Sequence, residues 1–311
     1  MKLSVIIPCY NEEGNVIPMY NKLCEVLGKE KFELIFVDDG SADKTLEMLK
    51  ILYDNDKKRV RVVTFSRNFG KDAAMYAGLS KAVGEYTCII DADLQQSPEY
   101  LVKMLNYLEE NKEYDQVAMI INSRNKNILM KLFSIMFYKL IDAISDIKFV
   151  SGASDFRMFR SNVKDAIVSL GENNRFSKGI FAWIGFNTKY MTYEVKNRFS
   201  GKTKFNFRSS FKYGIEGILG FTTKPLRIAT YIGLISSFTA FITILVIIIR
   251  TAIYGIDVPG FASLMCVILL IGGIQLITIG ILGEYLAKNY LETKKRPIYI
   301  SKEEIGFKGE K

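Results

Sequence analysis

Residues 86–95 read YTCIIDADLQ, a short apolar run that ends in two aspartates separated by one residue. Carboxylates follow two earlier apolar runs in the same way. Residues 34–37 precede Asp38 and Asp39, and residues 3–7 precede Glu12. Short apolar runs that alternate with helical patterns of 10–15 residues predict a parallel sheet with right-handed crossovers.

The first part of the chain repeats this alternation. We predict strands over residues 3–7, 34–37, 60–65, 86–90 and 117–121. We predict helices between them over residues 13–27, 44–53, 71–83 and 98–110. This order predicts an α/β, Rossmann-like fold, with a mostly parallel sheet and helices on both of its faces.

The carboxylates lie after the strands, at the edge where α/β sheets bind their ligands. A dinucleotide site would carry GxGxxG after the first strand, whereas residues 8–13 read PCYNEE. Asp91 and Asp93 can face the same side and bind Mg²⁺ or Mn²⁺, which take carboxylates and substrate phosphates as ligands. The pair Asp91 and Asp93 alone also fits a solvated turn, and residues 38–41 alone also fit a helix N-cap at Ser41 or Asp43. Three acidic strand ends in one sheet favour a cation-assisted site for a phosphate-rich ligand.

Composition excludes several classes of enzyme. The 311 residues contain no histidine, which excludes Ser-His and Cys-His nucleophiles, HExxH zinc sites and a histidine base. The four cysteines show no CxxC spacing, so we expect reduced cytosolic thiols and neither a zinc ribbon nor a disulfide framework. Residues 196–227 carry +7 of the net charge of +9 and precede the most apolar part of the chain. This placement indicates a membrane surface rather than nucleic acid.

Two stretches are long enough to cross a membrane. Residues 228–249 and 261–283 comprise 22 and 23 residues without a charge, and about 20 apolar residues span a bilayer core as a helix. The alternative is a pair of buried core helices. Lysine and arginine flank both stretches, whereas the linker 250–260 holds only Arg250, so we expect the linker outside and both termini in the cytosol. Residues 3–7 are too short for the apolar part of a signal peptide.

These stretches divide the chain. We predict a cytosolic domain (1–205), a basic amphipathic juxtamembrane segment (206–227), a first transmembrane helix (228–249), an external loop (250–260), a second transmembrane helix (261–283) and a cytosolic tail (284–311). Phe207, Phe211 and Ile215 share a helical stripe beside Arg208, which indicates an interfacial helix, and residues 128–141 form a second apolar segment of this kind. Packing on the sheet is the alternative for both segments.

Several motifs resemble those of the family 2 glycosyltransferases, which have a GT-A fold. They are LSVIIPCYNEEGNV from residue 3, FVDDGSADKT from residue 36, FSRNFGKDAAMYAGL from residue 65 and IIDADLQQSPE from residue 89. The motifs SDFRMF, NRF and FSGKTKF, followed by two apolar stretches, narrow the resemblance. The chain is similar to polyprenyl-phosphate glycosyltransferases, in particular bactoprenol glucosyltransferases and their dolichol-phosphate mannosyltransferase relatives.

The resemblance implies roles for the matching positions. The residues for the nucleotide sugar would be Pro8, Tyr10, Glu12, Asp38, Asp39, Lys71, Asp91, Ala92 and Gln95. The ligands of Mg²⁺ or Mn²⁺ would be Asp91, Asp93 and Gln95. The residues that face the lipid phosphate or the leaving diphosphate would be Arg124, Arg157, Arg175, Arg198, Lys202 and Lys204. The catalytic carboxylates would be Asp155 and Asp93.

The implied reaction moves a sugar, with inversion, from a nucleotide diphosphate to a polyprenyl monophosphate. The second pKa of a phosphate monoester is about 6, so the acceptor oxygen attacks without a strong general base. Asp155 is then a weak base, an orienting partner of an arginine such as Arg157, or a helix-capping or salt-bridged aspartate. We expect UDP-glucose and undecaprenyl phosphate as substrates, and UDP-N-acetylglucosamine and GDP-mannose remain open as donors.

Two other functions fit the sequence less well. A polysaccharide synthase needs a QxxRW motif and more spans, whereas the single tryptophan, Trp183, lies in FAWIG. A transporter or scaffold subunit would leave the acidic strand ends without a role, and spans without internal charge offer no substrate path. We expect a protein of the bacterial inner (cytoplasmic) membrane that binds a nucleotide sugar and a lipid and no nucleic acid. Packing of the membrane hairpin would support a homotetramer.

Overall fold

The protein is described by a computed structural model over residues 1–28, 30–121, 150, 152–173, 175–195, 220–255 and 260–307. Four of the residues expected at a phosphate lie outside this part of the chain: Arg124, Arg198, Lys202 and Lys204. The two segments predicted to lie at the membrane interface, residues 128–141 and the stripe that begins at Phe207, lie outside it as well.

The described residues form a domain of strands and helices followed by two long helices. The strands are β1 (Leu3–Cys9), β2 (Phe32–Asp38), β3 (Val60–Phe65), β4 (Tyr86–Ile89), β5 (Gln116–Ile121), β6 (Ala153–Arg160), β7 (Thr188–Tyr193) and β8 (Ser301–Ile305). The helices are α1 (Val16–Leu27), α2 (Thr45–Asn55), α3 (Lys71–Lys81), α4 (Glu99–Glu110), α5 (Ser161–Ser169), α6 (Ser177–Trp183), α7 (Lys224–Tyr254) and α8 (Phe261–Thr293).

All eight strands belong to one sheet, in the order β7-β5-β6-β4-β1-β2-β3-β8. Strands β4, β1, β2 and β3 are parallel, and β5 and β7 are parallel to each other, whereas β6 and β8 run antiparallel to their neighbours. The predicted α/β fold is confirmed, and the five predicted strands and four predicted helices are present with bounds that differ by at most three residues. Strands β6, β7 and β8 were not predicted, and the sheet is more mixed than its first part indicates because β6 and β8 run antiparallel to their neighbours.

The reversal of β6 brings its first residues to the carboxyl ends of the parallel strands. Ile89 of β4 pairs with Arg157 of β6, so the antiparallel register places Asp155 opposite Asp91. We call this edge, where β1, β2, β3 and β4 end and β6 and β8 begin, the rim of the sheet. The acidic strand ends therefore share one side of the molecule with Asp155, which follows them by more than sixty residues in the chain.

Helices cover both faces of the sheet, and its strands are therefore buried on both sides. Val5 packs in the cluster formed with α1, α2 and α4, whereas Ile6, the next residue, packs against α3, α5 and α6. A side chain of this size contributes roughly 1.5–3 kcal/mol when it is fully buried. Gly78 of α3 lies on Ile6 so closely that a Cβ there would overlap the Ile6 side chain. This close approach holds α3, and with it Lys71, against the sheet.

The last two helices differ from those of the domain in what they expose. Both are long and apolar enough to cross a membrane by length and composition, over Lys224–Tyr254 and Val267–Thr293. Their apolar side chains face outward, as in Phe238, which is 67% exposed, and Leu276, which is 71% exposed. Core helices of a soluble domain would be buried, so that alternative is wrong for these two helices.

The segment after α8 returns to the domain. Helix α8 continues to Thr293, ten residues beyond the predicted span, and β8 then pairs with β3 at the edge of the sheet. The Tyr299 ring stacks on Phe65 with centroids 4.8 Å apart. Ser301 pairs with Phe65 and Ile305 pairs with Val62, so the chain comes back from α8 at the rim and runs away from it. The predicted cytosolic tail therefore contributes a strand to the sheet.

Candidate functional site at the rim of the sheet

The loops after β1 and β2 are joined by hydrogen bonds. Asn11 donates its backbone N–H to the Ser41 hydroxyl oxygen at 2.9 Å, and its side-chain oxygen accepts the Ala42 N–H at 2.9 Å. Glu12 donates its N–H to Thr45 Oγ1 at 2.8 Å. Asn11 has a φ of +52°, which asparagine tolerates better than most residues. The two loops therefore form one unit, beside which Tyr10 is 37% exposed.

Asp38 and Asp39, predicted to bind the nucleotide, also hold the backbone of the rim. Asp38 Oδ1 accepts the Ser41 N–H at 3.1 Å and so closes the turn after β2. Asp39 is buried, and its two oxygens accept N–H groups of Phe69 at 2.6 Å and Gly70 at 3.0 Å. Burial raises the pKa of Asp39, and these two amides oppose the rise. Asp39 thus fixes the loop that leads into α3.

Lys71, the first residue of α3, connects two carboxylates from different strands. Its Nζ lies 2.6 Å from Asp91 Oδ1 and 3.2 Å from Asp155 Oδ2. Burial alone would lower the pKa of Lys71, but the two carboxylates raise it above its ordinary value. Lys71 is therefore an ammonium ion, and we call the set Lys71, Asp91 and Asp155 the lysine-bridged cluster.

Asp155 is an ionised carboxylate within this cluster. Burial alone would raise its pKa, but the nearby charges of Lys71, Lys178 and Arg157 outweigh burial and lower it. Among the described residues, Asp155 Oδ1 is buried without a hydrogen-bond partner. A carboxylate with a lowered pKa is a weak base, so its charge and position are what it offers to a reaction.

Gln96 orients Asp91, a role that no motif in the sequence indicated. Its Nε2 donates to Asp91 Oδ2 at 2.9 Å, and its Oε1 accepts the Asp91 N–H at 2.9 Å. Leu94 has a φ of +60°, and the turn it makes lets the Gln95 N–H donate to Asp93 Oδ1 at 3.1 Å. The sequence alone does not distinguish Gln95 from Gln96, and only this turn shows which of the two contacts Asp91 through its side chain.

The residues expected to bind a cation fit a divalent ion in part. Within the described part of the chain, no group of three His, Cys, Asp or Glu side chains is gathered as a complete metal site. Asp91 and Asp93, separated by one residue just after β4, offer two carboxylates to such an ion. Mg²⁺ and Mn²⁺ bind through one or two carboxylates plus substrate phosphates. The donor set therefore suits an ion that arrives with a phosphate-rich ligand.

Two arginines expected at a phosphate are buried in the domain. Arg157 is 4% exposed, with its guanidinium carbon 3.8 Å from the centre of the Phe181 ring, and burial lowers its pKa to about 10. Arg175 lies 4.4 Å from the ring centre of Tyr76, donates to Ile167 O at 3.2 Å, and lines a cavity of about 180 Å³. Both side chains pack on aromatic rings, and their phosphate roles remain predictions.

The rim and the two long helices meet on the same side of the domain. Asn173 donates its N–H to Glu292 Oε1 near the end of α8 at 2.9 Å. Ser66, which follows β3 at the rim, donates its N–H to Ile300 O at 3.0 Å. The chain that leaves α8 therefore joins the domain at the edge that holds the acidic residues.

Comparison with known proteins agrees with this arrangement. Residues 4–167 match Glycosyl transferase family 2, and residues 224–288 match the GtrB C-terminal hairpin. An uncharacterised glycosyltransferase of Synechocystis is 40% identical over 96% of this chain and 94% of its own length. A prophage bactoprenol glucosyl transferase homolog of Escherichia coli is 39% identical over 97% of this chain and 99% of its own length.

A similar fold is found in a solved enzyme structure. Glucosyl-3-phosphoglycerate synthase of Mycobacterium tuberculosis, in complex with Mn²⁺, UDP-glucose and phosphoglyceric acid, has a TM-score of 0.50 and 16% identity to this chain. The similarity covers 70% of this chain and 77% of that one, and it concerns the fold alone. With the family match over the first half of the chain and relatives that align along nearly its whole length, the protein belongs to glycosyl transferase family 2 and is a glycosyltransferase.

Proposed function

We propose that the protein transfers glucose from UDP-glucose to a polyprenyl phosphate, undecaprenyl phosphate, at the cytosolic face of a bacterial inner membrane. The observation that carries the proposal is the lysine-bridged cluster at the rim, on the side where the apolar hairpin joins the domain. Relatives named for bactoprenol glucosyl transfer support the sugar and the lipid, and the UDP-glucose complex of the similar fold supports the nucleotide.

The donor would bind along the rim from β1 to β4. Pro8, Tyr10, Glu12, Asp38 and Asp39 would hold the uracil and ribose, because the joined loops after β1 and β2 form a rigid floor. The diphosphate would lie towards the turn after β4, beside Lys71, Asp91, Ala92, Asp93 and Gln95. Asp91, Asp93 and Gln95 would hold Mg²⁺ or Mn²⁺, which neutralises charge on a leaving diphosphate.

The acceptor phosphate would be the nucleophile in an inverting displacement. A phosphate monoester is mostly a dianion at pH 7, since its second pKa is about 6. Its oxygen forms a bond to the anomeric carbon while the bond from that carbon to the diphosphate oxygen breaks, and UDP leaves with that electron pair. No proton has to be removed from the acceptor, so the ionised Asp155 acts by position and charge. Lys71 would hold Asp155 beside the donor carboxylate Asp91.

The position of the hairpin supports a lipid acceptor. A polyprenyl chain stays in the bilayer, so its phosphate can reach only a site at the membrane surface. The apolar residues of α7 and α8 are exposed, and a surface of this kind is stable in lipid rather than in water. The first part of the domain and β8 belong to one sheet. This supports a hairpin whose two ends lie on the same, cytosolic side, as the lysine and arginine distribution also indicates.

A transfer assay on the full-length protein in lipid vesicles tests the proposal. Labelled UDP-glucose, UDP-N-acetylglucosamine and GDP-mannose are each offered with undecaprenyl phosphate, with Mg²⁺, with Mn²⁺ or with a chelator. We expect glucosylated lipid from UDP-glucose alone, and only when a divalent cation is present. Transfer from UDP-N-acetylglucosamine or GDP-mannose instead would show that UDP-glucose is not the donor. Full activity with the chelator would contradict the role of the cation. Asp54→Asn is the matched control, because Asp54 is a 70% exposed carboxylate on α2, far from the rim.

A further inference from the structure

Strand β8, which follows the two long helices, returns the chain to the rim beside the residues expected to hold the nucleotide. Ser66 donates its N–H to Ile300 O at 3.0 Å, and Ser301 pairs with Phe65, the last residue of β3. In the sheet, β3 lies between β8 and β2, and β2 ends at Asp38. No motif in the sequence assigns this returning strand a part in the site.

A β-bulge takes Lys302 out of the regular pairing of β8. Thr64 pairs with Glu303, and the next residue of β3, Phe65, pairs with Ser301, so Lys302 has no partner on β3. Bulges of this kind re-aim a side chain and are frequent next to active sites. This one lies where β8 leaves the rim, which is the edge where an α/β sheet binds its ligands.

The register places Lys302 in line with Asp38. Asp38 pairs with Thr64, and Thr64 pairs with Glu303, the neighbour of Lys302. Neighbouring strands lie about 5 Å apart, so the row from Asp38 to β8 crosses a single intervening residue, Thr64. Thr64 is short and buried, whereas Lys302 is exposed. A lysine side chain that starts at the edge strand can therefore extend over Thr64 towards Asp38.

Electrostatics also connect Lys302 with Asp38. Burial raises the pKa of Asp38, and both the hydrogen bonds from Ser41 and the positive charge of Lys302 oppose this rise. Asp43 adds a further negative charge near Asp38. The ammonium thus lies within electrostatic range of the acidic end of the rim, where an anionic nucleotide needs a compensating cation.

The two glutamates of β8 are already paired with lysines of the domain. Glu303 Oε2 lies 2.6 Å from Lys50 Nζ of α2, and Glu304 Oε2 lies 2.8 Å from Lys81 Nζ of α3. These pairs hold β8 from both faces of the sheet. Lys302, between them and the rim, forms no ion pair with another residue of the described part of the chain. Its three N–H donors are therefore available to a ligand.

We propose that Lys302 is a donor-binding residue, which donates a hydrogen bond to the uridine part of the nucleotide sugar. The inference rests on the donor placement made under the proposed function. The carbonyl oxygens of uracil and the hydroxyl oxygens of ribose are acceptors for an ammonium, whereas Asp38 and Asp39 offer acceptors to the N–H and O–H groups of the same nucleoside. The donor site is then built from chain segments on both sides of the hairpin, β1 and β2 before it and β8 after it.

Binding of labelled UDP to the full-length protein in detergent, with Mn²⁺ and without an acceptor, tests this contact. Lys302→Met should weaken the binding of UDP roughly tenfold, the scale of one hydrogen bond from a charged donor. Lys302→Arg keeps the charge and the donors and should recover part of the loss. Unchanged binding of UDP by Lys302→Met would overturn the proposal and leave Lys302 as a lysine that only protects an edge strand.

Lys50→Met is the matched control for the seating of β8. It removes an ammonium that holds β8 through Glu303 and leaves Lys302 in place. We expect Lys50→Met to bind UDP as the wild type does, even where its melting temperature is lower. Equal losses of UDP binding in Lys50→Met and Lys302→Met would trace the effect to a loosened strand and overturn the direct contact.

Fragments of UDP distinguish a contact with uridine from a contact with the diphosphate. Unlabelled uridine and inorganic pyrophosphate are each used to displace labelled UDP. Lys302→Met should weaken displacement by uridine by the same factor as it weakens binding of UDP, and it should leave displacement by pyrophosphate unchanged. Weaker displacement by pyrophosphate with unchanged displacement by uridine would move Lys302 to the diphosphate and overturn the assignment.

Transfer measured on the same samples separates this inference from the proposed function. Lys302→Met should raise KM for UDP-glucose, with little change in kcat or in KM for undecaprenyl phosphate. Weaker binding of uridine by Lys302→Met, in a protein whose wild type transfers no sugar to the lipid, would refute the proposed function alone. Glucosyl transfer with the same KM for UDP-glucose in the wild type and in Lys302→Met would refute this inference alone.

Discussion

The rim carries acidic residues in two regions that are held in different ways. After β2, Asp39 is bound by two backbone amides at 2.6 and 3.0 Å, groups that cannot move without moving the loop. At β4 and β6, Asp91 and Asp155 are bridged by one ammonium at the end of a long side chain that is 36% exposed. The first arrangement fixes the backbone, and the second leaves carboxylates beside a cation that can shift. Acidic residues at one sheet edge therefore fall into two groups. Those after β2, which we call the supporting region, hold the backbone of the site. Those at β4 and β6, which we call the serving region, are left to act on ligands.

The largest effect is expected from Asp93→Ala, which removes a carboxylate from the serving region. We expect kcat/KM for glucosyl transfer to fall on the order of 10²–10³-fold, the scale on which one preorganised electrostatic group contributes to catalysis. The melting temperature should stay near that of the Asp54→Asn control. Full activity of Asp93→Ala would remove this residue from the reaction, and loss of the fold would move it to the supporting region.

The second effect concerns the bridge itself. Lys71→Met leaves Asp155 buried without its closest cation. We expect the free energy of unfolding to fall by about 2–3 kcal/mol. This is less than the 3–5 kcal/mol that breaking a fully buried pair costs, because Lys71 is partly exposed. For a domain of this size about 2 kcal/mol lowers the melting temperature by roughly 4–8 °C.

A double-mutant cycle then isolates the interaction. Lys71→Met/Asp155→Asn should recover part of the stability but none of the activity, because the uncompensated charge is gone while the cluster is still absent. Stabilities that simply add, measured by thermal unfolding of the full-length protein in detergent, would show that the two groups do not interact.

Asp39→Asn tests the supporting region and should mainly affect the fold. An asparagine keeps one acceptor oxygen but loses the charge, so one of the two amides is left poorly satisfied, at a cost of about 1–2 kcal/mol. The melting temperature should fall. A large loss of kcat with an unchanged melting temperature would instead place Asp39 in the serving region.

The smallest effect is a difference between two variants in how their stability depends on pH. The pKa of Asp39 is raised by burial, so the folded protein binds this proton more tightly than the unfolded chain. The stability gap between the wild type and Asp39→Asn should therefore widen as pH falls through the raised pKa of Asp39 towards the ordinary value of about 3.9. The pKa of Asp155 is lowered, so its contribution is complete above its ordinary pKa of about 3.9. The gap for Asp155→Asn should stay constant over the same pH range, and a parallel drift of both gaps would contradict the assignment.

The sequence predicted the supporting frame better than the cluster. The first five strands are apolar runs bounded by polar turns, which is the sequence pattern typical of parallel strands buried on both faces. Strands β6 (ASDFRMFR) and β8 (SKEEI) were not predicted because both contain charged residues. Strand β6 has few apolar residues on one of its faces, and β8 is an edge strand. No spacing rule joins residues 71, 91 and 155, since only the reversal of β6 brings Asp155 to the rim.

Binding of Mn²⁺ in the presence of UDP-glucose, followed by the electron paramagnetic resonance signal of the free ion, tests the division of the rim most directly. The full-length wild type and Asp54→Asn should bind the ion together with the nucleotide sugar, and Asp93→Ala should leave the ion in solution while its melting temperature is unchanged. Equal binding by Asp93→Ala and the wild type would contradict the assignment of the β4 carboxylates to a cation-bridged donor.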